Sequence, residues 1–390
     1  MLTALPDATR STCGGKAATL GVLLRDGLPV PDGFVVPAGG EERTGADIGQ
    51  ALRTAVAREL GRLGDPVVAV RSSAANEDTA SASAAGQYES VIGVRGTDDV
   101  CEAIAACWAS ARAARVADYW KRTDGSTAQP APAMAVLVQR VIEAEVSGVL
   151  FTPQQPGQPT RIEASWGLGL AVVGGFVTPD AYEVAADGSV GYTVGRKETR
   201  TDLNRERGGV VTSAVSEEAQ TARTLDDDTT TALAGLGNQI AALLDGPQDI
   251  EWAVADGKVW ILQSRPITAS LPAIPVPGSV MPSGALSGTP GSHGTVTATA
   301  RIVRGPSDFP AVRPGEVVVC RYTDPAWTPL FTIASGVVTE TGGALSHAAI
   351  VAREYGLPAV LRVADAMTHI RNGDRIVLDG TAGTVTVLHP

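Results

Sequence analysis

Apolar and polar positions along this chain follow two distinct periods. Residues 47–63 (DIGQALRTAVARELGRL) repeat apolar side chains at helical spacing. The spacing predicts a second helix over 98–121, with Val100, Ile104, Cys107, Trp108, Ala111 and Val116 forming its inward stripe. Between them, residues 66–71 (PVVAVR) read as a buried strand that runs straight into a Ser/Ala/Gly loop. From 133 to 195 the period shortens to that of strands, in AMAVLVQRVI, VSGVLFT, TRIEASW, AYEVAAD and SVGYTVG. A helix is predicted across 225–244, and EWAVADGKVWILQ (251–263) predicts a hairpin turning at Asp256-Gly257. The stretch to about residue 40 reads as loop, short helix and strand, punctuated by Pro29, Pro31 and Pro37.

The pattern breaks at 269–290, where Pro272, Pro275, Pro277, Pro282 and Pro290 alternate with Gly and Ser. Such a segment cannot form a regular core element and reads as a semi-rigid hinge linker. It divides the chain into a larger unit, 1–268, and a smaller one, 291–390. In the smaller unit strands are expected at 296–304, 316–321, 336–339 and 374–388, and helices near 325–333 and 346–355. The expected class is mixed, α+β or α/β.

Composition narrows the function classes. With 390 residues, 44% hydrophobic and 19% charged, the chain has the make-up of a soluble globular enzyme. No apolar run reaches membrane-spanning length and the first residues lack the apolar core of a secretory signal, so the expected place is the cytoplasm, with no membrane partner. The net charge of −11 argues against nucleic acid as a partner. A small phosphate ligand stays open, because it needs only local cations and backbone N–H groups. The four cysteines show no metal-ligand spacing and are expected to be reduced and mostly buried.

Candidate chemistry is densest in GVVTETGGALSHAAIVAREYGLPAVL, residues 336–361. It reads as a strand, a glycine turn and a helix with Ser346 as N-cap, which puts His347 in the first helical turn. Unsatisfied N–H groups and the positive end of the helix dipole favour a phosphate there and keep the ring neutral and nucleophilic. Gly342 and Gly343 allow close backbone approach. A histidine that merely satisfies a helix end is the plain alternative. The predicted hairpin carries a second candidate: Glu251 and Gln263 can face one side of the sheet and reach one Mg2+ ion, with phosphate oxygens and water completing its shell. Arg265 then supplies a cation at the phosphates, while Asp249 is as readily a strand-end residue.

These segments resemble a known family. GGALSHAAIVAREYGLPAV looks like the phosphohistidine signature of the phosphoenolpyruvate-utilising enzymes, which include phosphoenolpyruvate synthase, pyruvate phosphate dikinase and rifampicin phosphotransferase; Leu345 stands where members often have Thr. TDPAWTP (323–329) resembles the family's segment at the same distance upstream. CGGKAATLG (13–21) with GLPVPDGFVV (27–36) is similar to the family's opening glycine loop, and VRSSAANEDTASASAAGQYES (70–90) to its Ser/Gly loop, with Ala84 in place of a common Phe. VLVQRVIEAEVSGVLFT (136–152), IEASWGLGLAVVGGFVTPDAYEV (162–184) and QDIEWAVADGKVWILQSRPIT (248–268) match further family segments.

The resemblance implies an ATP-grasp-like nucleotide-binding domain over 1–268 and a small swivelling β/β/α phosphohistidine domain over 291–390. It implies Lys16 and Arg71 on the triphosphate, Gln139 and Val141 beside the adenine, Lys197 as a further nucleotide contact, Glu251 and Gln263 on Mg2+, Arg265 as phosphate clamp and His347 as the phosphoryl carrier. It also implies that His347 takes the ATP β-phosphoryl, releasing AMP and phosphate; the residues alone leave AMP or ADP open. Synthase and dikinase carry a barrel for pyruvate, and rifampicin phosphotransferase a central drug-binding domain. Neither pattern is seen here, so the expected acceptor is a small molecule held between the two domains. The alternative is a carrier that donates to a separate acceptor protein. A degenerate nucleotide-binding regulator is disfavoured, because Lys16, Arg71, Glu251, Gln263, Arg265 and His347 are all present. His293, in GSHGTV, reads as surface filler or an acceptor-site base; His369 and His389 take no role.

Overall fold

The computed structural model describes residues 1–39, 48–75, 77–78, 88–112, 134–272 and 284–388. The far half of the helix expected over 98–121, most of the Ser/Ala/Gly loop after Arg71 and the middle of the proline-rich segment lie outside them. The architecture is mixed α/β, as the periodicity predicts, and the described strands form four sheets.

The first sheet has strands β1 (Thr3–Ala4), β2 (Gly33–Val36), β3 (Val68–Ala74), β4 (Ser90–Val94) and β5 (Met134–Arg140) in the order β1-β2-β5-β3-β4. Strand alternation sends Val68, Val70, Val136 and Val138 to one face. There they pack against Val56 and Leu60 of a helix over Gln50–Arg62 (α2) and against Val100, Ile104 and Cys107 of another over Thr97–Ser110 (α3). The opposite face carries Val35, Ala135 and Leu137, covered by helix α1 (Arg10–Arg25). Burying each of the valine, leucine and isoleucine side chains stabilises the fold by about 1.5–3 kcal/mol.

The second sheet has β6 (Val146–Phe151), β7 (Thr160–Trp166), β8 (Asp180–Val184), β9 (Val190–Thr193), β12 (Gln248–Ala255) and β13 (Lys258–Pro266) in the order β13-β12-β6-β7-β8-β9. A small hairpin, β10 (Thr199–Leu203) with β11 (Val210–Ala214), lies beside it. Helix α4 (Asp227–Leu243) starts at Asp226, whose carboxylate accepts from Thr229 N, and buries Leu233 and Ile240 in the same core as Trp252 and Ile250. β12 and β13 are the expected hairpin, and Asp256 and Gly257 both take positive φ, 51° and 68°. β13 is an edge strand, and Ile261 N donates to Pro29 O across it.

The remaining strands, β14 (Leu286–Ser287), β15 (Thr289–Ser292), β16 (Thr295–Ile302), β17 (Val317–Cys320), β18 (Gly336–Thr339), β19 (Ala359–Leu361), β20 (Arg375–Asp379) and β21 (Thr384–Leu388), form one sheet. Its centre, β16-β17-β18-β19, is parallel. Helix α5 (His347–Glu354) connects β18 to β19 and buries Val351 and Ala352 against Trp327 and Phe331.

All four cysteines are free and buried. Burial pushes the Cys107 thiol up to about 12 and raises Cys101 and Cys320 as well, which leaves these thiols protonated. No described helix is long and apolar enough to cross a membrane.

Candidate active site

The glycine-lysine segment expected as a loop is instead a break inside α1. Gly14 takes φ 77° between two helical stretches, and a Cβ there would stand 2.0 Å from Ser73 O. Ser73 bridges the break: its hydroxyl donates to Cys13 O (2.7 Å) and accepts from Ala17 N (3.1 Å). Lys16 is thereby fixed beside the end of β3, where its Nζ meets Glu77 Oε1 at 2.9 Å and Ser72 O at 3.2 Å. Glu77 also accepts from Ala74 N, and Arg10 holds the Glu77 and Asp78 carbonyls.

From β3, Arg71 crosses to the second sheet. It donates to Leu262 O at 2.9 Å, to Glu251 Oε2 at 3.1 Å and to Gln263 Oε1. Glu251 and Gln263 are direct partners in the β12–β13 register, so they share a face, as the hairpin reading requires. Gln263 turns its amide toward the Asp78 carboxylate (3.4 Å), and two register positions away, on the same face, Arg265 Nε meets Asp249 Oδ2 at 2.8 Å. Lys16, Arg71, Glu251, Gln263 and Arg265 thus come together with Asp249, and with Glu77 and Asp78, which sequence reasoning did not assign.

Burial raises the Asp78 carboxyl to about 7, and the neighbouring Glu77 adds to the rise against Lys16 and Arg265. Arg265 is buried; burial alone would lower its pKa, but Asp249, Asp78 and Glu251 outweigh that and hold it cationic. Oxygen-only donors and crowded carboxylates suit a hard divalent cation. Among the described residues no cluster of three or more His, Cys, Asp or Glu side chains is arranged to hold a metal by itself.

Three predicted nucleotide contacts lie elsewhere. Lys197 is wholly buried and its Nζ meets Asp180 Oδ1 at 2.5 Å and Gly195 O at 3.0 Å. Asp180 also accepts from Thr224 and Tyr182, so this set ties β8 to the loops that flank it. Gln139, on the same face of β5 as Leu137, donates to Pro31 O, and Val141 packs with Ala144, Leu168 and Ala253. His293 lies in an exposed loop turn before β16.

His347 is the first residue of α5 and is buried. Ser346 occupies the N-cap position in extended backbone, yet its hydroxyl makes no capping bond to the helix; it donates to Gly343 O at 2.8 Å and tightens the glycine turn. That turn is packed on the second sheet. Gly342 N donates to Val177 O, Thr341 Oγ1 to Gly175 O, and Leu345 sits among Val149, Phe151 and Val172. The carboxylate of Glu163, on β7, accepts from Ala344 N at 2.7 Å and Leu345 N at 3.1 Å. Asp249, Arg265, Ile267, Phe151, Ile350 and Arg353 line one narrow crevice between the hairpin and α5. The helix that starts at His347 therefore borders the Arg265 end of the cationic cluster.

The chain is similar to known proteins over most of its length. Residues 41–273 match the family model described as pyruvate phosphate dikinase, AMP/ATP-binding domain, and residues 312–383 match that of the PEP-utilising enzyme, mobile domain. A probable phosphoenolpyruvate synthase from Methanothermobacter thermautotrophicus is 34% identical, over 95% of this chain and 61% of that protein. The phosphoenolpyruvate synthase of Pyrococcus furiosus is 37% identical over 82% of this chain and 40% of its own length, and that of Deinococcus radiodurans 34% identical over 91% and 48%. The chain spans 40–61% of the length of these relatives. A match to an AMP/ATP-binding domain over more than half of the chain, followed by a match to a mobile domain, places the chain plainly: it belongs to the pyruvate phosphate dikinase AMP/ATP-binding domain family.

Proposed function

We propose that this protein is an ATP-dependent phosphotransferase in which His347 accepts the β-phosphoryl of ATP and passes it to a small-molecule acceptor, with AMP and phosphate released. The observation that carries the reading is the crevice in which Arg265 and Asp249, at one end of the cationic cluster, meet α5, the helix that His347 opens.

In this reading Lys16, Arg71 and Arg265 exchange their carboxylate partners for phosphate oxygens. Glu251 and Gln263, with Asp78 beside them, would hold Mg2+, which neutralises charge on the phosphates when bound. An imidazole nitrogen of His347 attacks the β-phosphorus; the N–P bond forms as the bond to the AMP oxygen breaks. Hydrolysis then removes the terminal phosphate and leaves phosphohistidine. We further propose that residues up to 268 and the unit that opens with β14 at Leu286 act as nucleotide and carrier domains, with the stretch between them as the hinge. The expected boundary at 291 moves back, because Leu286–Ser287 and Thr289–Ser292 are strands of the second unit's sheet. The relatives' name makes a pyruvate-like keto acid the first acceptor to offer. The cytoplasm is the proposed place of action.

The test uses ATP labelled separately at the β and γ phosphates, with magnesium, on the wild type and His347→Ala. Acid-labile β label on the wild type, AMP in solution and neither with the variant is the expected result. Formation of ADP alone, or equal labelling of His347→Ala, would sink the mechanism. Addition of pyruvate to the labelled protein then asks whether the label leaves to a small molecule; retention of label until a second protein is added would favour a separate protein acceptor.

A further inference from the structure

Glu163 stands on β7 between Ile162 and Ala164, whose side chains enter the main core. Strand alternation turns Glu163 to the other face, toward the loop that leads into His347. There it is buried, with its two oxygens on two successive backbone N–H groups, those of Ala344 and Leu345. Successive N–H groups converging on one point form an anion nest. The fit depends on Gly343, because a Cβ at that position would stand 2.2 Å from Glu163 Oε2. On its far side the loop is held by Arg353, whose guanidinium donates to Ala344 O and Gly291 O, both at 2.8 Å.

We propose that Glu163 is a positioning latch that holds the His347 loop on the nucleotide-binding part while His347 is unmodified, and that phosphorylation of His347 releases it. The inference rests on the phosphohistidine reading above. A protein carboxylate fills the anion nest that opens into the helix of the carrier histidine. A phosphoryl group on His347 brings a charge of about −1.5 to −2 within three residues of Ala344. It competes for the same N–H donors, and in a site closed to water it repels the carboxylate far more than it would in solvent. The Thr341 and Gly342 contacts are between neutral groups, on which such a charge acts far more weakly than on a carboxylate. Arg353 is carried on α5 itself and moves with the loop, so of the bonds that tie the His347 turn to the second sheet, those of Glu163 are the ones that a charge on His347 opposes. The latch favours docking of the empty arm and departure of the charged one.

Hydrogen exchange at the amides of Ala344 and Leu345, measured on the full chain at about pH 8, where the Glu163 carboxyl is ionised, tests this. In unmodified wild type these amides are expected to be protected. Glu163→Ala should speed their exchange by about tenfold or more, and His347→Asp, which places a permanent anion at the carrier position, should do the same. Wild type incubated with Mg-ATP, with a mass gain of about 80 Da confirmed on the same sample, should match them. Unchanged protection in Glu163→Ala would overturn the latch, as would wild-type protection in both His347→Asp and the phosphorylated chain. A missing mass gain counts against the phosphohistidine reading, and the His347→Asp arm then decides the latch by itself.

Discussion

Glu251 and Gln263 stand directly opposite each other across β12 and β13, and Arg71 reaches both from a different sheet. One guanidinium therefore sets the geometry of both proposed metal-site residues and also ties down the edge strand through Leu262 O. Arg71→Ala should cut ATP-dependent labelling of His347 by roughly 100-fold or more, the usual size when a preorganised donor is removed from a charged site. Arg71→Lys should not restore it, because an ammonium cannot span the same acceptors as a planar fork. A lysine variant labelling at near wild-type rate would show that only the charge matters.

The halves of this site differ in how much of them the sequence exposes. Asp256-Gly257 fixes a two-residue turn that sets Ala255 opposite Lys258, but that register alone would put Leu262 opposite Glu251. A bulge between Glu251 and Trp252 shifts it by one residue and brings Glu251 and Gln263 face to face, which the turn does not announce. Their meeting with Arg71 joins residues 180 and more positions apart and depends on how two sheets pack, which no local period encodes. Glu77 and Asp78 sat unassigned in a loop whose apparent role was to cover phosphates; their burial comes from the break in α1 at Gly14. Glu163 went unassigned for a related reason. In TRIEASW it looks like any polar residue on the outward face of a strand, until the loop from residues 341–345 covers that face.

Lys197 is the converse case, a rare lysine in a motif-like context whose partner in the structure is Asp180. Its ion pair with Asp180 has side-chain exposures of 0% and 1%. Breaking a buried pair typically costs about 3–5 kcal/mol, and Asp180 keeps other donors, so Lys197→Met should sit at the low end. That corresponds to a fall in melting temperature of roughly 6–12 °C, with the Michaelis constant for ATP changed by less than about twofold. Calorimetry and labelling kinetics on one preparation separate the outcomes. A large rise in the ATP constant with an unchanged melting temperature would make Lys197 a nucleotide contact after all.

Glu163 also gives the fold a pH dependence of definite sign. Burial lifts its carboxyl from 4.5 to about 7, against the bonds from Leu345 and Ala344 and the charges of Arg353 and Arg362. A carboxyl whose folded pKa lies above its unfolded value binds a proton on folding. Its contribution is therefore greatest below the unfolded value, declines as pH rises toward about 7 and is flat beyond, with a total of at most about 3 kcal/mol. Glu163→Gln removes this slope, while Asp78, also raised to about 7, stays in both proteins and cancels. The wild type should lose stability relative to Glu163→Gln between about pH 5 and pH 7. A constant difference across that range, followed by calorimetry, would mean that the carboxylate stays ionised in the folded protein.

Gly343 makes the docked loop itself testable. An alanine Cβ placed 2.2 Å from Glu163 Oε2 forces the carboxylate or the loop to move, and either movement breaks the bonds from Ala344 N and Leu345 N that hold the loop on β7. The cationic cluster at Lys16, Arg71 and Arg265 is untouched, and ATP should bind as before. Misplacement of a reacting group by about 1 Å commonly costs on the order of 100-fold in rate, so Gly343→Ala should label His347 some 10- to 100-fold more slowly. The clash has a named partner, which makes the effect non-additive. With Glu163→Ala already in place the obstruction is gone, and the double variant should label no more slowly than Glu163→Ala alone. If Gly343→Ala labels at the wild-type rate, transfer to His347 does not proceed from the docked arrangement, and the contact of Glu163 with the loop belongs to another stage of the cycle.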